Sequence, residues 1–374
     1  MKKIIAMLLF LSFTCVNVTN VSALIGLDGE KEKWITSGVY QYGIVSEEKK
    51  IAALYHIDST EPHIVIPETI DGYTVKYLGL IQDVFQYVHT EEELFSYTIM
   101  GKNYATMRSL KIPKTVTAIG DYAFSNCSNL ETVIFPEKTR IEIGDLAFAG
   151  CSKIKNLTLY CGKVGQGTFG DLNRLELNGQ CDLYMNEDEC SSSFDKVKCL
   201  VLNNNAECGV DYFSDLVIKK IYLNDMSQLS FVGENKNTVD KLYVNTVDAE
   251  ITGEEKRIND IYTIPGAKAI SVAKKAKITY HIKSTGSMKK VTRKKSGKKY
   301  RYTWKKVKTT IKTHKYNWDK GKWKKTKKNI ATQYQIYGKA KKSDTYQLMK
   351  TTKKRKFTTK YKYVKVKPVK IWLE

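Results

Sequence analysis

The sequence has little of what usually marks an enzyme. Its five histidines, His56, His63, His89, His281 and His314, stand singly and form no H-E-x-x-H, which removes a common zinc-hydrolase arrangement. No Walker loop and no G-x-S-x-G elbow occurs, so neither a phosphate cradle nor a serine nucleophile is marked. No C-x-x-C pair is present, and with it goes the usual ligand spacing of a zinc site. One G-x-G-x-x-G, GQGTFG at residues 165–170, lies in a repeat that already accounts for its glycine and phenylalanine; no strand-helix-strand unit surrounds it. The acidic groups Glu187/Asp188/Glu189 and Glu254/Glu255 fall in expected turns and read as solvated surface. No catalytic, cofactor-binding or metal-binding residue is therefore assigned, and a binding module is expected rather than an enzyme.

Long apolar runs are scarce too. Beyond the N-terminus none approaches the roughly 20 residues of a membrane span, and no LPxTG-like sorting signal is present. At the N-terminus, Lys2 and Lys3 precede an apolar run over residues 4–13, and Val21-Ser22-Ala23 fits the small-residue cleavage rule. Residues 1–23 therefore read as a secretory signal peptide. Secretion is expected, with any hold on a cell surface made by non-covalent contacts.

Acidic residues are nearly missing from the end of the chain. Residues 283–374 hold 33 Lys/Arg against Asp319, Asp344 and Glu374, a block of +30, while the rest carries −7 of the total +23. A chain divided in this way should meet different partners with its two parts.

What is present in quantity is a repeat. Residues 110–129 read LKIPKTVTAIGDYAFSNCSN and residues 130–153 read LETVIFPEKTRIEIGDLAFAGCSK. In each copy an apolar strand ends in proline, and a glycine is followed by phenylalanine four residues later and cysteine seven residues later. Gly120, Phe124 and Cys127 thus match Gly144, Phe148 and Cys151. A period of 20–29 residues with one strand per unit is that of a solenoid, in which neighbouring coils bury each other's apolar faces. Gly165 with Phe169, and Gly209 with Phe213, keep the offset of four. Glycine at this place suits a positive φ or a close backbone approach, and phenylalanine fills the space between coils.

This pattern resembles the BspA-like leucine-rich repeats of bacterial surface proteins. The resemblance implies a leucine-rich-repeat solenoid of short parallel strands, with an irregular or short-helical convex side, and a role in adhesion to host, matrix or other bacteria. Two copies match almost fully, and weaker echoes run across roughly residues 40–282. The recurring Cys127 and Cys151 are expected as a ladder of buried thiols; Cys161, Cys181, Cys190, Cys199 and Cys208 leave room for one or two bridges.

Four segments follow in order. Residues 24–63 alternate apolar and polar residues about a charged turn at 46–50, as a β-hairpin cap for the first coil. Residues 64–282 are the solenoid, with an insertion at 80–107 and a closing unit at 261–282 made of a short helix (267–275) and a last strand (277–282). Residues 283–374 mix lysine with β-branched and aromatic residues at period two, as in a small antiparallel β domain. Asp319-Lys320-Gly321 marks a hairpin turn between Trp318 and Trp323.

Tyr300, Tyr302, Trp304, Lys305, Lys306, Trp318, Trp323, Lys324 and Lys325 are candidates for polyanion or glycan binding, by charge neutralisation and ring stacking. At least two of the three tryptophans are expected in the small domain's core. The expected partners are an extracellular protein or glycan for the solenoid and an anionic cell-wall polymer, on a Gram-positive type of cell, for the basic region. Extracellular nucleic acid, or self-association through the basic region, is the alternative.

Overall fold

The computed structural model describes residues 34–79, 98–183, 193–210, 213, 217–231, 237–288 and 290–373. The signal peptide, most of the 80–107 insertion and the acidic run at 187–189 lie outside the described residues. The chain divides into two compact units, Met1–Lys198 with Tyr212–Asp215, and Cys199–Asp211 with Leu216–Glu374.

In the first unit three antiparallel strands, Ile35–Ser37, Tyr40–Ser46 and Ile51–Ile57, precede the coils. The third of them pairs in parallel with Tyr73–Leu78, and parallel pairing continues through Ala118–Ile119, Glu142–Ile143 and Asn156–Val164 to Arg174–Leu183. A second parallel sheet stacks His63–Val65, Ser109–Lys111 and Thr132–Ile134. The strands are short because each coil turns inward only one or two apolar residues before it must bend, as in Ser109–Lys111, where Leu110 alone is buried. The fold is a parallel β-solenoid.

Rings join the coils of this unit. Phe124, Phe148, Phe169 and Phe194 stack in sequence at centroid distances of 5.3, 5.1 and 5.5 Å, and Phe213 follows at 6.1 Å. All five are essentially buried. Phe194 breaks the glycine rule, since Cys190 stands four residues before it, yet it forms parallel bridges with both Phe169 and Phe213.

Gly144 and Gly165 answer to close approach rather than to positive φ. A Cβ on Gly144 would lie 2.7 Å from the Asp121 nitrogen and 2.9 Å from the Gly120 carbonyl carbon, and one on Gly165 would meet the coil before it in the same way. The left-handed residue comes two places later: Tyr122, Leu146 and Gly167 have φ of 56°, 55° and 57°. Beside the glycines a carboxylate ladder ties successive turns. Asp121 Oδ1 accepts from the Asp145 amide, and Asp145 Oδ1 from the Gln166 amide, both at 2.7 Å. Cys127 and Cys151 are free and buried. Cys151 Sγ donates to the Phe124 carbonyl, and its contact with Cys127, together with burial, pushes the Cys127 thiol well above its usual range.

In the second unit the parallel strands Cys199–Asn203, Val217–Leu223, Thr238–Val244, Ile258–Thr263 and Thr279–Thr285 follow one another. Glu207–Gly209, Gln228–Phe231 and Glu250–Gly253 form the companion sheet. The interior row is Leu200, Ile221, Leu242, Ile261 and Tyr280, paired across the strands and buried. The closing helix is Ala269–Ala276, stopped by Lys277 in the left-handed region, whose amide bonds back to the Ala273 and Lys274 carbonyls. The last parallel strand, expected at 277–282, runs instead to Thr285.

At that point the strand direction reverses without a gap in hydrogen bonding. Thr309–Asn317 pairs antiparallel with Thr279–Thr285, and Lys322–Ile330 pairs antiparallel with Thr309–Asn317. The hairpin within the basic region thus extends the solenoid's own sheet. The rest of the region forms two more antiparallel sheets. One joins Val291–Ser296, Lys299–Trp304 and Lys356–Thr359; the other joins Gln347–Thr352, Tyr334–Lys339 and Tyr363–Pro368. Their shared core is Tyr302, Trp304, Val307, Tyr334, Ile336 and Val366.

Candidate functional site

Residues 309–330 form the hairpin that the Asp-Lys-Gly signal predicts. Its outer strand, Lys322–Ile330, is the last in its sheet, and Lys322, Lys324, Lys325, Lys327 and Lys328 are all exposed on it. Across the hairpin Lys324 faces Lys315, Lys327 faces Lys312, and Lys325 faces His314. Like charges directly opposite destabilise a sheet. Burial, with Lys325, Lys274 and Lys312 nearby, holds the His314 pKa below its usual value. Among the described residues none from 290 to 373 takes part in a salt bridge. Lysines on an edge strand also discourage edge-to-edge pairing, but five of them, partly opposed by further cations and without a carboxylate partner, exceed that need.

The structure separates the nine candidate residues. Tyr302 and Trp304 face the core, where strand alternation turns them inward, and this removes them as ligand contacts. Tyr300 packs half-buried against that core, with the Arg293 guanidinium 5.5 Å from its ring. Lys305 and Lys306 are exposed just past the same strand. Trp323, Lys324 and Lys325 lie together on the hairpin, and Trp318 stands at its tip, 67% exposed. Trp323 makes edge contacts with Tyr280 and Tyr316 at 5.3 and 5.2 Å, so it anchors the hairpin. The Lys277 ammonium lies about 5 Å from both the Tyr316 and the Trp318 rings. Of the repeat positions, Phe124, Phe148, Phe169 and Phe213 are the stacked rings; Gly120, Gly165 and Gly209 are buried and Gly144 half-buried at their turns.

Pattern reading missed a second surface. On the outward side of the second unit's strands, Tyr222, Tyr243, Tyr262 and His281 stack at 4.5, 4.8 and 4.3 Å. Two residues further along the strands, Asn203, Asn224 and Asn245 link their carboxamides at 2.8 Å per step. Burial, then the charge of Asp260, raises the Tyr262 pKa to about 12. The 21-residue recurrence of Asn203, Asn224 and Asn245 was the available signal. The chain's own end closes over this face, with Trp372 beside Tyr262 and Asn245. No group of metal-ligating side chains and no helix long and apolar enough to cross a membrane occurs among the described residues.

Residues 102–217 match the family model for the BspA type leucine rich repeat region in six copies. No curated protein matches the chain. Among solved structures, a leucine-rich repeat protein from Bacteroides capillosus is 25% identical, covers 34% of this chain and 83% of its own, and has a TM-score of 0.25. The leucine rich repeat protein of T. pallidum is 16% identical, with 54% and 89% covered and a TM-score of 0.29. A leucine rich cell surface protein from Faecalibacterium prausnitzii is 13% identical, with 61% and 78% covered and a TM-score of 0.28. Residues 102–217 are thus leucine-rich repeats of the BspA type.

Proposed function

We propose that this is a secreted, non-enzymatic adhesion-type protein, whose solenoid binds a protein or glycan and whose basic β region holds it on an anionic cell-wall polymer of a Gram-positive type of cell. The family supports the binding role. The hold on a polyanion rests on one observation, the exposed edge of Lys322, Lys324, Lys325, Lys327 and Lys328, partly opposed by further cations and without a carboxylate partner among the described residues. Such an array is relieved when a polymer phosphate enters and small counterions leave. Exposed Trp318 at the hairpin tip adds a ring that can lie on a sugar face.

The test is a pull-down of the chain from residue 24 on purified walls, on walls stripped of teichoic acid, and against single-stranded DNA. Retention on intact walls alone is expected, with log K falling as log salt rises. Each of the five lysines changed to glutamate should flatten that slope by about 0.7. Equal retention on stripped walls overturns the wall reading, and preference for DNA replaces it with the nucleic-acid alternative.

A further inference from the structure

The last residues of the chain lie on the solenoid as a ligand lies in a site. Thr285 Oγ1 donates to the Val369 carbonyl at 3.3 Å, and the Lys283 ammonium donates to the Ile371 carbonyl. The Asn245 carboxamide takes both sides of Trp372: its oxygen accepts the Trp372 amide at 2.7 Å and its nitrogen donates to the Trp372 carbonyl at 3.0 Å. The indole N–H donates to the Thr263 carbonyl at 2.9 Å. The ring stands edge-on to Tyr262 at 5.2 Å and tilted to Tyr243 at 6.1 Å, with the Lys283 ammonium 5.4 Å from its centroid.

This is not strand addition, since side chains make most of the contacts. A carboxamide that bonds both the N–H and the C=O of one residue recognises an extended backbone whatever its side chain. The box of rings beside it recognises an indole, whose flat face and single donor suit the wet edge of an aromatic surface. Backbone capture with a side-chain pocket is the general form of peptide recognition. The carboxamide ladder also continues past its occupant, from Asn245 to half-buried Asn224 and Asn203, while the ring stack ends against buried Tyr222. Lys370 and Ile371 are exposed, and a cleft of about 510 Å³ runs along Lys367–Ile371, lined also by Tyr337, Gln335 and Ser287. The end of the chain is thus held on one side only, from Lys370 onward.

We propose that Tyr243, Asn245, Tyr262, Thr263 and Lys283 form a peptide-binding site, held in cis by the chain's own residues 370–373 and taking, when these lift away, an extended tryptophan-bearing peptide of a partner protein. The site rests on the binding-protein reading but uses a face other than the lysine hairpin.

The test uses a fluorescent peptide of residues 367–374, KPVKIWLE, as the probe. The chain ending at Val369 should bind it saturably at one site, and the full chain at least tenfold more weakly. Asn245→Ala in the shortened chain should weaken binding at least fivefold, and a probe carrying Trp372→Ala should not bind. A shortened chain that keeps its β-sheet spectrum and melting transition yet ignores the probe overturns the site, as does equal binding by the two lengths. Should the shortened chain fail to fold, the full chain with Trp372→Ala takes its place under the same criteria. Changing Lys324 and Lys325 to glutamate should leave probe binding intact while lowering wall retention, so the two readings fail separately.

Discussion

In the coils around residues 109–169 the stacked rings are inside: Phe124, Phe148 and Phe169 sit on the loop side of each coil and are sealed from water. In the coils around residues 199–263 the stacked rings are outside. The interior is a row of Leu200, Ile221, Leu242 and Ile261, and half-buried Tyr243 and Tyr262 line the outward face of the strands, stacked on buried Tyr222. Both sets of coils pair in parallel. Coil stacking therefore needs an apolar inner row and a loop that closes, but not a particular ring. Where rings are placed depends on what covers them, the next coil in one case and the chain's own end in the other.

Removing one ring from each ladder should separate the two kinds of coil most strongly. Phe148→Ala leaves a cavity between two sealed neighbours and should cost about 3–5 kcal/mol. Tyr243→Ala, half-exposed, should cost about 1 kcal/mol. Urea denaturation of the two variants reads the difference, and equal losses would mean that the outer ladder is as fully covered as the inner one.

Gly144→Ala is the next largest. Its Cβ would press on the backbone of the coil before it, 2.7 Å from the Asp121 nitrogen. A cost of about 2 kcal/mol is expected in the same denaturation measurement. A neutral outcome would show that the coils can part to admit a methyl group.

Alkali should separate the outer ladder from its tail. The Tyr262 phenol stays neutral in the folded chain up to about pH 12, whereas an unfolded tyrosine ionises near 10. A pKa raised by folding means that this contribution is complete below about pH 10 and is lost as pH climbs through 12. Thermal melts across that window should show the loss, and Tyr262→Phe should make it shallower.

The smallest effect tests the backbone alone. Lys138 is exposed with φ of 59°. Lys138→Gly removes the left-handed penalty of about 1 kcal/mol, partly offset by glycine's greater freedom when unfolded, and should stabilise by about 0.5 kcal/mol. A loss in melting temperature instead would show that the lysine side chain contributes contacts of its own.

The inner ladder was legible because it repeats locally: glycine and phenylalanine four residues apart mark Phe124, Phe148, Phe169 and Phe213 in turn. Phe194 escaped because that coil lacks the glycine, although its ring takes the same place. The hairpin at residues 309–330 was legible from its turn. Trp304 and Trp323 were not separable as core and anchor, because lysine-rich alternation surrounds both. The outer ladder is hard to see in the sequence because a tyrosine on a strand is ordinary for any half-buried sheet, and its spacings of 21, 19 and 19 residues are not constant; only the asparagines beside it keep a period of 21.

Local pattern alone carries the repeat, the inward phenylalanine of the coils that keep its glycine, the closing helix and the concentration of lysine after residue 283. All of these are properties of neighbours within some 25 residues, and periodic burial forces them. The tertiary structure decided that the basic region would continue the solenoid's sheet, and that Trp372 would return to Asn245, 127 residues earlier. No local pattern encodes such a contact. It arises because stacking leaves the outward tyrosine face half-exposed, and the end of the chain is near enough, and of the right chemistry, to cover it.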